Sequence, residues 1–302
     1  MLFRSIVPGG RSFAKDPCVV RFRGTAYLYY STLCASDPNG SWQIGIAASD
    51  DLENWTPCGT IQAEQPAEGR GICAPGAIVL NDRVHLFYQS YGQFPKDYIC
   101  HAVSDDGIHF VRDASNPIIQ PTGDWNIGRA IDADVVAYQG RLFLYWATRD
   151  PRGEIQMLGV SSAPLDSDFS RGAWRQDCDA PILKPELPWE QQCIEAPAAI
   201  VHAGRVYLFY AGAYNCSPQR IGCAVSGDGV HFTRLSREAL LTEGAPDAWN
   251  ASESGHPYAF MDDDGSAHLF FQGSPDGGQN WLLSRATVRF EDGRPSVKPT
   301  HV

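Results

Sequence analysis

Three carboxylates stand at almost the same point in three copies of an internal repeat. Asp16 and Asp132 each lie eight residues before a glycine that opens an aromatic-rich segment, and Glu195 lies nine residues before the equivalent glycine. Carboxyl groups that meet can carry out acid–base chemistry, if one stays protonated near neutral pH while another is ionised. Whether these three meet depends on the elements that carry them.

The aromatic-rich segment occurs five times along the chain. Each copy is a Gly or Asp turn followed by alternating aromatic and aliphatic residues, which is the period-two pattern of a β-strand. The copies are residues 24–30, 82–88, 140–146, 204–210 and 265–271, and their turn residues are 58, 58, 64 and 61 positions apart. A unit repeated in this way cannot bury its own apolar face, so the copies must stack or close into a ring.

A second repeated phrase ends most of the units. A short apolar strand, a turn rich in Ser, Asp and Gly, and an aromatic residue occur at residues 44–55, 100–110 and 222–232, with a looser copy at 159–169. Asp and Gly favour such turns through local hydrogen bonds and tolerance of positive φ. Each unit then contains four antiparallel strands, which predicts an all-β, five-bladed β-propeller forming one domain over residues 1–302. A β-sandwich does not predict this period, and the repeats of a β-helix are much shorter.

Composition narrows the classes of partner. The formal net charge is −11, which argues against nucleic acid and anionic membranes, because both select basic surfaces, and is compatible with a neutral substrate. The nine cysteines are scattered and lack the paired spacing of a zinc site. The first residues lack the apolar core of a signal peptide, and no run approaches the length needed to span a bilayer. We therefore expect a soluble, cytoplasmic protein.

The predicted architecture brings the three carboxylates together. The first strand of every propeller blade lines the central channel, so residues at one phase converge on one mouth. Two carboxyl groups that flank a glycosidic bond are what its hydrolysis requires, and a third nearby raises the pKa of the acid by like-charge repulsion. The alternative is that an acidic residue simply opens a strand, since Asp-Pro is a common turn signal. That alternative explains one of the residues more easily than all three in phase.

These motifs, in order and one per blade, resemble those of the five-bladed propeller glycoside hydrolases of family 43 and, more broadly, the related family 32 fructosidases. Asp16, followed by Pro17, resembles the general base, and Glu195 in its Glu-Ala-Pro resembles the general acid. Asp132 resembles the Asp that tunes and orients that acid. The resemblance implies exo-acting, inverting hydrolysis of small oligosaccharides, with arabinofuranosides or xylosides as the leading substrates. A retaining enzyme would instead need Asp16 close enough to attack carbon.

The resemblance has departures. The usual Pro after the second Asp is Ala133, and Asp134 shares its strand face with Asp132, so Asp134 is a rival for the same role. Cys73, before Ala-Pro in the second blade, replaces the usual Trp. His256 resembles the blade-five histidine at the channel axis, beside water or a metal ion such as calcium; no cofactor is otherwise required.

Four further residues are expected to contact the substrate together with Asp134. Arg129 could bind a sugar hydroxyl or carboxylate or neutralise the acidic cluster, and Trp42 and Trp125 lie in loops where an indole could stack on a sugar. His256 opens an inner strand and is expected at the channel, as a substrate or metal ligand.

Other functions remain open. The Arg-Asp-Pro typical of the fructosidases occurs only at residues 149–151, out of phase with the inner strands. A glycoside phosphorylase should gather basic residues near the mouth to hold phosphate, and the inner strands contain no such cluster. A third reading is a non-catalytic, sugar-binding propeller, because fold does not imply function.

Overall fold

The computed structural model describes residues 2–35, 37 and 40–299. The strands in chain order are β1 (Leu2–Phe3), β2 (Lys15–Phe22), β3 (Thr25–Leu33), β4 (Trp42–Ser49), β5 (Thr56–Ile61), β6 (Gly71–Leu80), β7 (Arg83–Tyr91), β8 (Ile99–Ser104), β9 (Val111–Arg112), β10 (Ile131–Tyr138), β11 (Arg141–Arg149), β12 (Gln156–Pro164), β13 (Arg175–Gln176), β14 (Ile194–His202), β15 (Arg205–Gly212), β16 (Arg220–Ser226), β17 (Thr233–Arg234), β18 (Glu253–Met261), β19 (Ala267–Ser274), β20 (Leu282–Glu291) and β21 (Arg294–Pro299). Short 3₁₀ helices cover Pro66–Glu68, Arg171–Ala173 and Pro188–Glu190. Among the described residues, no helix has the length and apolar character needed to cross a membrane.

These strands form five antiparallel sheets, and each sheet is one blade. Blades 1 to 4 are β2–β5, β6–β9, β10–β13 and β14–β17, each with its strands in sequential order, and blade 5 contains β18–β21. The inner strands β2, β6, β10, β14 and β18 contact one another in turn around the ring. The prediction of a five-bladed propeller with four antiparallel strands per blade is confirmed.

The start of the chain closes the ring. Strand β1 pairs with β20 of blade 5, with Leu2 opposite Ser284, while β21 pairs with the later residues of β20. Close to blade 1, the Ser12 hydroxyl donates to the carbonyl of Trp281 at 2.8 Å. Blade 5 is therefore tied to the segment that leads directly into blade 1.

Large aromatic side chains from the second strands fill the space within and between the blades. Trp146, Tyr29 and Tyr145 are among the largest fully buried side chains. Trp146 needs a glycine opposite, because a Cβ built on Gly159 would lie 2.2 Å from its ring. The alternating aromatic pattern in the sequence is thus the packing surface of the blades.

All five inner strands share one irregularity near the channel mouth. In β2 the pairing register shifts between Lys15 and Cys18, and the same shift occurs in β6, β10, β14 and β18. Each bulge contains one non-glycine residue with φ between 41° and 54°; these residues are Asp16, Ala74, Asp132, Ala196 and His256. A β-bulge re-aims the side chains next to it, and such positive φ is strained. The five bulges therefore define one equivalent position per blade.

Two buried glutamates anchor the loops that lead into β6 and β14. Glu68 accepts hydrogen bonds from the Tyr88 hydroxyl at 2.6 Å and from Nε of Arg112 at 2.9 Å. In blade 4, Glu190 has equivalent bonds from Tyr210 and Arg234, both at 2.8 Å. Because these carboxylates are fully paired, they hold the entry to inner strands 2 and 4 without an unsatisfied buried charge.

Candidate active site

The bulges bring the three predicted carboxylates to one mouth of the channel, where they are almost completely buried. Asp16, Asp132 and Glu195 are 5%, 8% and 8% exposed. Asp16 and Asp132 occupy the bulge position itself, whereas Glu195 lies one residue before the bulge residue Ala196. This offset explains why its sequence spacing is nine residues rather than eight. Asp132 interacts electrostatically with both other carboxylates, so the three form one cluster.

Asp132 is tied to the backbone beside Glu195. Its Oδ2 accepts a hydrogen bond from the N–H of Ala196 at 3.3 Å, and its own N–H donates to Oε1 of Gln89 at 2.9 Å. Burial raises the pKa of Asp132 to about 7; His256 opposes this rise and Glu195 adds to it. Asp132 can therefore hold a proton close to neutral pH.

Glu195 is held between two amide side chains. Nε2 of Gln219 donates to its Oε1 at 2.6 Å, and Nε2 of Gln156 donates to its Oε2. Burial raises the pKa of Glu195, while the Gln219 bond and the charge of Lys15 oppose the rise. A buried carboxyl with a raised pKa and a fixed orientation has the properties of a proton donor.

Asp16 faces the blade-five histidine. Its Oδ1 lies 3.2 Å from Nδ1 of His256, and its backbone N–H donates to Oε1 of Gln272 at 3.1 Å. His256 is in turn fixed by Gln219, whose Oε1 accepts its backbone N–H at 2.9 Å. Asp16 and Glu195 thus come from different blades and have different partners, as an acid and a base require.

Asp134 lies deeper along the channel than Asp132. Its Oδ2 accepts the N–H of Ala199 at 2.6 Å, three residues beyond the bulge residue of blade 4. Burial raises the pKa of Asp134 to about 8, opposed by its backbone hydrogen bonds. Its electrostatic neighbours include Cys18 and Tyr258, in the interior of the channel. The geometry therefore links Asp132, rather than Asp134, to Glu195.

Two charged residues at this mouth were missed from the sequence. Lys15 is 6% exposed, and its Nζ lies 4.1 Å from the centre of the Trp281 ring and 3.4 Å from Oδ1 of Asn215. Glu253 is fully buried and accepts hydrogen bonds from Gln272 and from the N–H of Cys216. The position of Lys15, next to Asp16 and equivalent to Glu195, was the one signal in the sequence that could have identified it.

The two predicted tryptophans differ in their surroundings. Trp42 packs against Tyr91, with ring centres 5.0 Å apart, and lies 5.9 Å from Nζ of Lys15, so it belongs to the wall beside the carboxylates. Trp125 stacks on the buried Trp146 at 5.8 Å, which is a packing position in blade 3. The expected contact of Trp125 with substrate stays a prediction without support from these contacts.

Arg129 and the proposed ion position complete the list of predicted residues. The Arg129 side chain is 12% exposed, with Nη2 3.6 Å from Oδ2 of Asp97, and its charge acts on Asp132. Within the described part of the chain, no group of three or more His, Cys, Asp or Glu residues is arranged to hold a metal ion. His256 is paired with Asp16 instead, so an ion beside it stays a prediction.

Comparison with known proteins gives a match to nearly the whole chain. The model of glycosyl hydrolases family 43 matches residues 7–290. A crystal structure of a thermostable family-43 glycoside hydrolase is similar, with a TM-score of 0.77 and 20% identity, over 99% of this chain and 96% of that one. An endo-1,4-β-xylanase from Bacteroides thetaiotaomicron has a TM-score of 0.74 and 23% identity, over 95% and 94% of the two chains.

A curated relative matches a shorter segment. The β-1,2-mannobiose phosphorylase of Thermoanaerobacter sp. (strain X514) is 28% identical over 127 residues, which is 37% of this chain. The chain spans about 40% of the length of that relative.

Proposed function

This chain belongs to glycosyl hydrolases family 43, and on that premise we propose that it is an exo-acting, inverting glycosidase of small oligosaccharides, with arabinofuranosides and xylosides as its substrate class. The observation that carries the proposal is the cluster of Asp16, Asp132 and Glu195, buried at one mouth and held by different partners. Inverting hydrolysis needs one carboxyl as proton donor and one carboxylate as base.

Glu195 is the proposed proton donor. Burial raises the pKa of Glu195 above its usual value, which favours the protonated form that a proton donor needs. The amide of Gln219 at 2.6 Å orients the carboxyl group. On breakage of the glycosidic bond, Glu195 transfers its proton to the leaving oxygen, which would otherwise depart as an unstable alkoxide.

Asp16 is the proposed base. The bulge fixes its backbone, and His256 approaches one of its oxygens at 3.2 Å. The ionised carboxylate takes a proton from water as that water attacks the anomeric carbon. The water oxygen forms the new bond while the bond to the leaving oxygen breaks, which inverts the anomeric configuration.

Asp132 is the proposed tuning residue. It accepts the N–H of Ala196, directly after Glu195, and its carboxyl lies within electrostatic reach of both Glu195 and Asp16. In the molecules in which Asp132 is ionised, its negative charge disfavours ionisation of Glu195 and so helps to keep the donor protonated. Asp134 lacks these contacts and is not assigned this role.

The walls of the mouth support a small sugar as substrate. Trp42 and Tyr91 provide an aromatic surface on one side, and aromatic faces pack well against sugar rings. Cys73 stands where the resemblance implies a Trp, and it is 3% exposed among Asp16 and Asp132. Cys lacks the aromatic surface of a Trp, so the sugar contacts at this position differ from those that the resemblance implies. The preferred pentoside is therefore identified by experiment.

A panel of aryl glycosides tests this proposal. The panel contains α-L-arabinofuranosides, β-D-xylosides, β-D-galactofuranosides and β-D-fructofuranosides, assayed with the wild type, Glu195→Gln and the exposed control Glu154→Gln. We expect one pentoside to be hydrolysed and the Glu195→Gln variant to lose about 10²–10⁴-fold in kcat/KM, most for poor leaving groups. Proton NMR of the first product is expected to show the inverted anomer.

Other results would favour the alternatives. Turnover of the fructofuranoside alone would favour a fructosidase. No turnover of any glycoside, or equal activity of the wild type and Glu195→Gln, would contradict the assignment and favour a sugar-binding propeller.

A further inference from the structure

Arg129 is a largely buried cation whose hydrogen bonds are incomplete. Its side chain is 12% exposed, and within the described residues its Nε is buried with no hydrogen-bond partner. The carboxylate of Asp97 lies 3.6 Å from Nη2, which is too far for a good hydrogen bond. A buried donor that is left unpaired is costly, so an acceptor outside the protein is the simplest explanation.

A second arginine approaches the same place from the end of β11. The guanidinium carbon of Arg149 lies 5.3 Å from the centre of the Phe94 ring, and that of Arg129 lies at the same distance from this ring. Phe94 is 57% exposed, so the ring that the two arginines share is open to solvent. Two like charges that share one ring repel each other, and an anion bound between the two guanidinium groups would reduce this repulsion.

Arg149 is connected to the proposed proton donor. Its Nε donates to Oε1 of Gln156 at 3.1 Å, and Nε2 of the same Gln156 donates to Oε2 of Glu195. Arg129 precedes Asp132 by three residues, and its charge acts on that carboxyl. The two arginines therefore flank the acid side of the site, where the leaving part of a substrate emerges.

We infer that Arg129 and Arg149, with Phe94 between them, form an anion-binding subsite for a carboxylate or phosphate group at the leaving side of the substrate. Guanidinium groups bind such oxyanions with paired, charge-assisted hydrogen bonds. The exposed ring of Phe94 supplies an apolar surface for the sugar that carries the group. The inference rests on the proposed function, because the leaving side of the substrate is defined by Glu195 as the proton donor.

The anion has two chemical sources. It is either the carboxylate of a uronic acid or the phosphate ester of a sugar phosphate, in both cases carried by the leaving part of the substrate. In either case the anion stays bound beside the leaving group and takes no part in the bond exchange at the anomeric carbon, while Glu195 gives its proton to the leaving oxygen.

Binding to the whole protein tests the subsite without any need for turnover. Calorimetric titrations compare D-glucuronate with D-glucose, and inorganic phosphate with chloride at equal ionic strength. We expect the wild type to bind glucuronate or phosphate about ten-fold or more tightly than the matched control ligand, and Arg129→Gln and Arg149→Gln to abolish that preference. The exposed control Arg152→Gln, whose side chain is 72% exposed, should retain it. Thermal unfolding of each variant shows whether it is folded, so that lost binding is not confused with lost folding. Arg129→Lys keeps the positive charge and so tests whether charge alone supports binding.

Each outcome decides the inference. Binding without preference for the charged ligand, no binding of either anion, or a preference that survives in both folded arginine variants would overturn it. In a second arm, faster hydrolysis of substrates whose leaving sugar carries a phosphate ester identifies phosphate, and faster hydrolysis of substrates with a uronate leaving group identifies the acidic sugar. A protein that hydrolyses nothing would contradict the proposed function, while the titrations would still decide whether the arginines bind an anion.

Discussion

The amide nitrogen of Gln219 lies 2.6 Å from Oε1 of Glu195. The amide oxygen of the same side chain accepts the backbone N–H of His256 at 2.9 Å, and Gln219 is completely buried. One side chain therefore joins the proposed proton donor in blade 4 to the histidine of blade 5 that faces Asp16. The acid and the base are positioned by a shared element as well as by their own strands.

Gln219→Leu should change both the rate and its pH dependence. The Gln219 bond stabilises ionised Glu195, so its loss raises the pKa of Glu195 further. A proton donor is inactive once ionised, so the alkaline limb of kcat/KM should move to higher pH, with about a ten-fold lower maximum because the carboxyl is less well oriented. A pH–rate profile checks this, with exposed Gln279→Leu as the control. An unshifted alkaline limb would show that Gln219 does not act on the donor.

The wild type is expected to lose stability as the pH rises towards 8, and Asp134→Asn should remove this loss. The folded protein holds the proton of Asp134 up to a pKa of about 8, whereas in the unfolded chain the group ionises at about 3.9. Between these values the folded state binds more protons, so wild-type stability falls as pH rises, by at most about 1.4 kcal/mol per pH unit. Asn cannot ionise, and its Oδ1 can still accept the N–H of Ala199.

Denaturant unfolding at pH 5 and pH 8 measures this effect. The stability of Asp134→Asn relative to the wild type should improve from the lower to the higher pH, and the exposed control Asp50→Asn should show no such trend. A constant difference between Asp134→Asn and the wild type would contradict the assignment.

His85 should cause a loss of stability in mild acid. Its Nδ1 lies 3.1 Å from Nε2 of His101, and burial, with the nearby His101 and Arg83, lowers the pKa of His85 to about 4. In the unfolded chain His85 takes up this proton at about pH 6.5. The stability that depends on neutral His85 is therefore fully present above that pH and is lost as the pH drops toward 4. His85→Phe should flatten this part of the stability curve, measured by thermal unfolding. The exposed control His231→Phe should keep the wild-type slope. A wild-type slope in His85→Phe would contradict the assignment of the acid effect to His85.

Gly76→Ala should damage both stability and activity. A Cβ on Gly76 would lie 2.2 Å from the carbonyl oxygen of Ala133, which belongs to the bulge that carries Asp132. Overpacking of this kind costs about 1–3 kcal/mol, and displacement of the bulge should lower kcat. Unfolding and kinetics are measured beside Gly172→Ala, whose added Cβ meets no atom within 4 Å. Equal effects of the two substitutions would refute this account of the packing.

The sequence was sufficient for the architecture and for the convergence of Asp16, Asp132 and Glu195. Strand alternation and repeat length are local properties, and they fix how many blades form and which residues share a phase. In a ring, equivalent phase implies proximity. The three carboxylates could therefore be grouped before any contact was known.

The tertiary structure alone decided the partners of those carboxylates. Gln156, Gln219 and Gln272 come from the second or third strands of their blades, or the loops beside them, and reach inner strands at distant positions in sequence. Gln272 directly follows the aromatic segment 265–271, as Gln89 follows 82–88, but the repeat does not reveal which atoms of a neighbouring strand or blade these side chains meet. For the same reason the sequence left Asp134 as a rival for the role of Asp132, whereas in the folded chain it is Asp132 that accepts the N–H directly after Glu195.

Only the folded chain shows which tryptophans border the site and which charged side chains lie together. Trp42 and Trp125 are equivalent as loop tryptophans in the sequence, yet one borders the carboxylates and the other stacks within blade 3. The sequence of the inner strands contains no basic cluster. Arg149 lies instead at the end of a second strand, where it contacts the same Phe94 ring as Arg129. Sequence alternation determines which face of a strand is buried, but only the close packing of blades determines which polar atoms meet at the mouth and which remain without a partner.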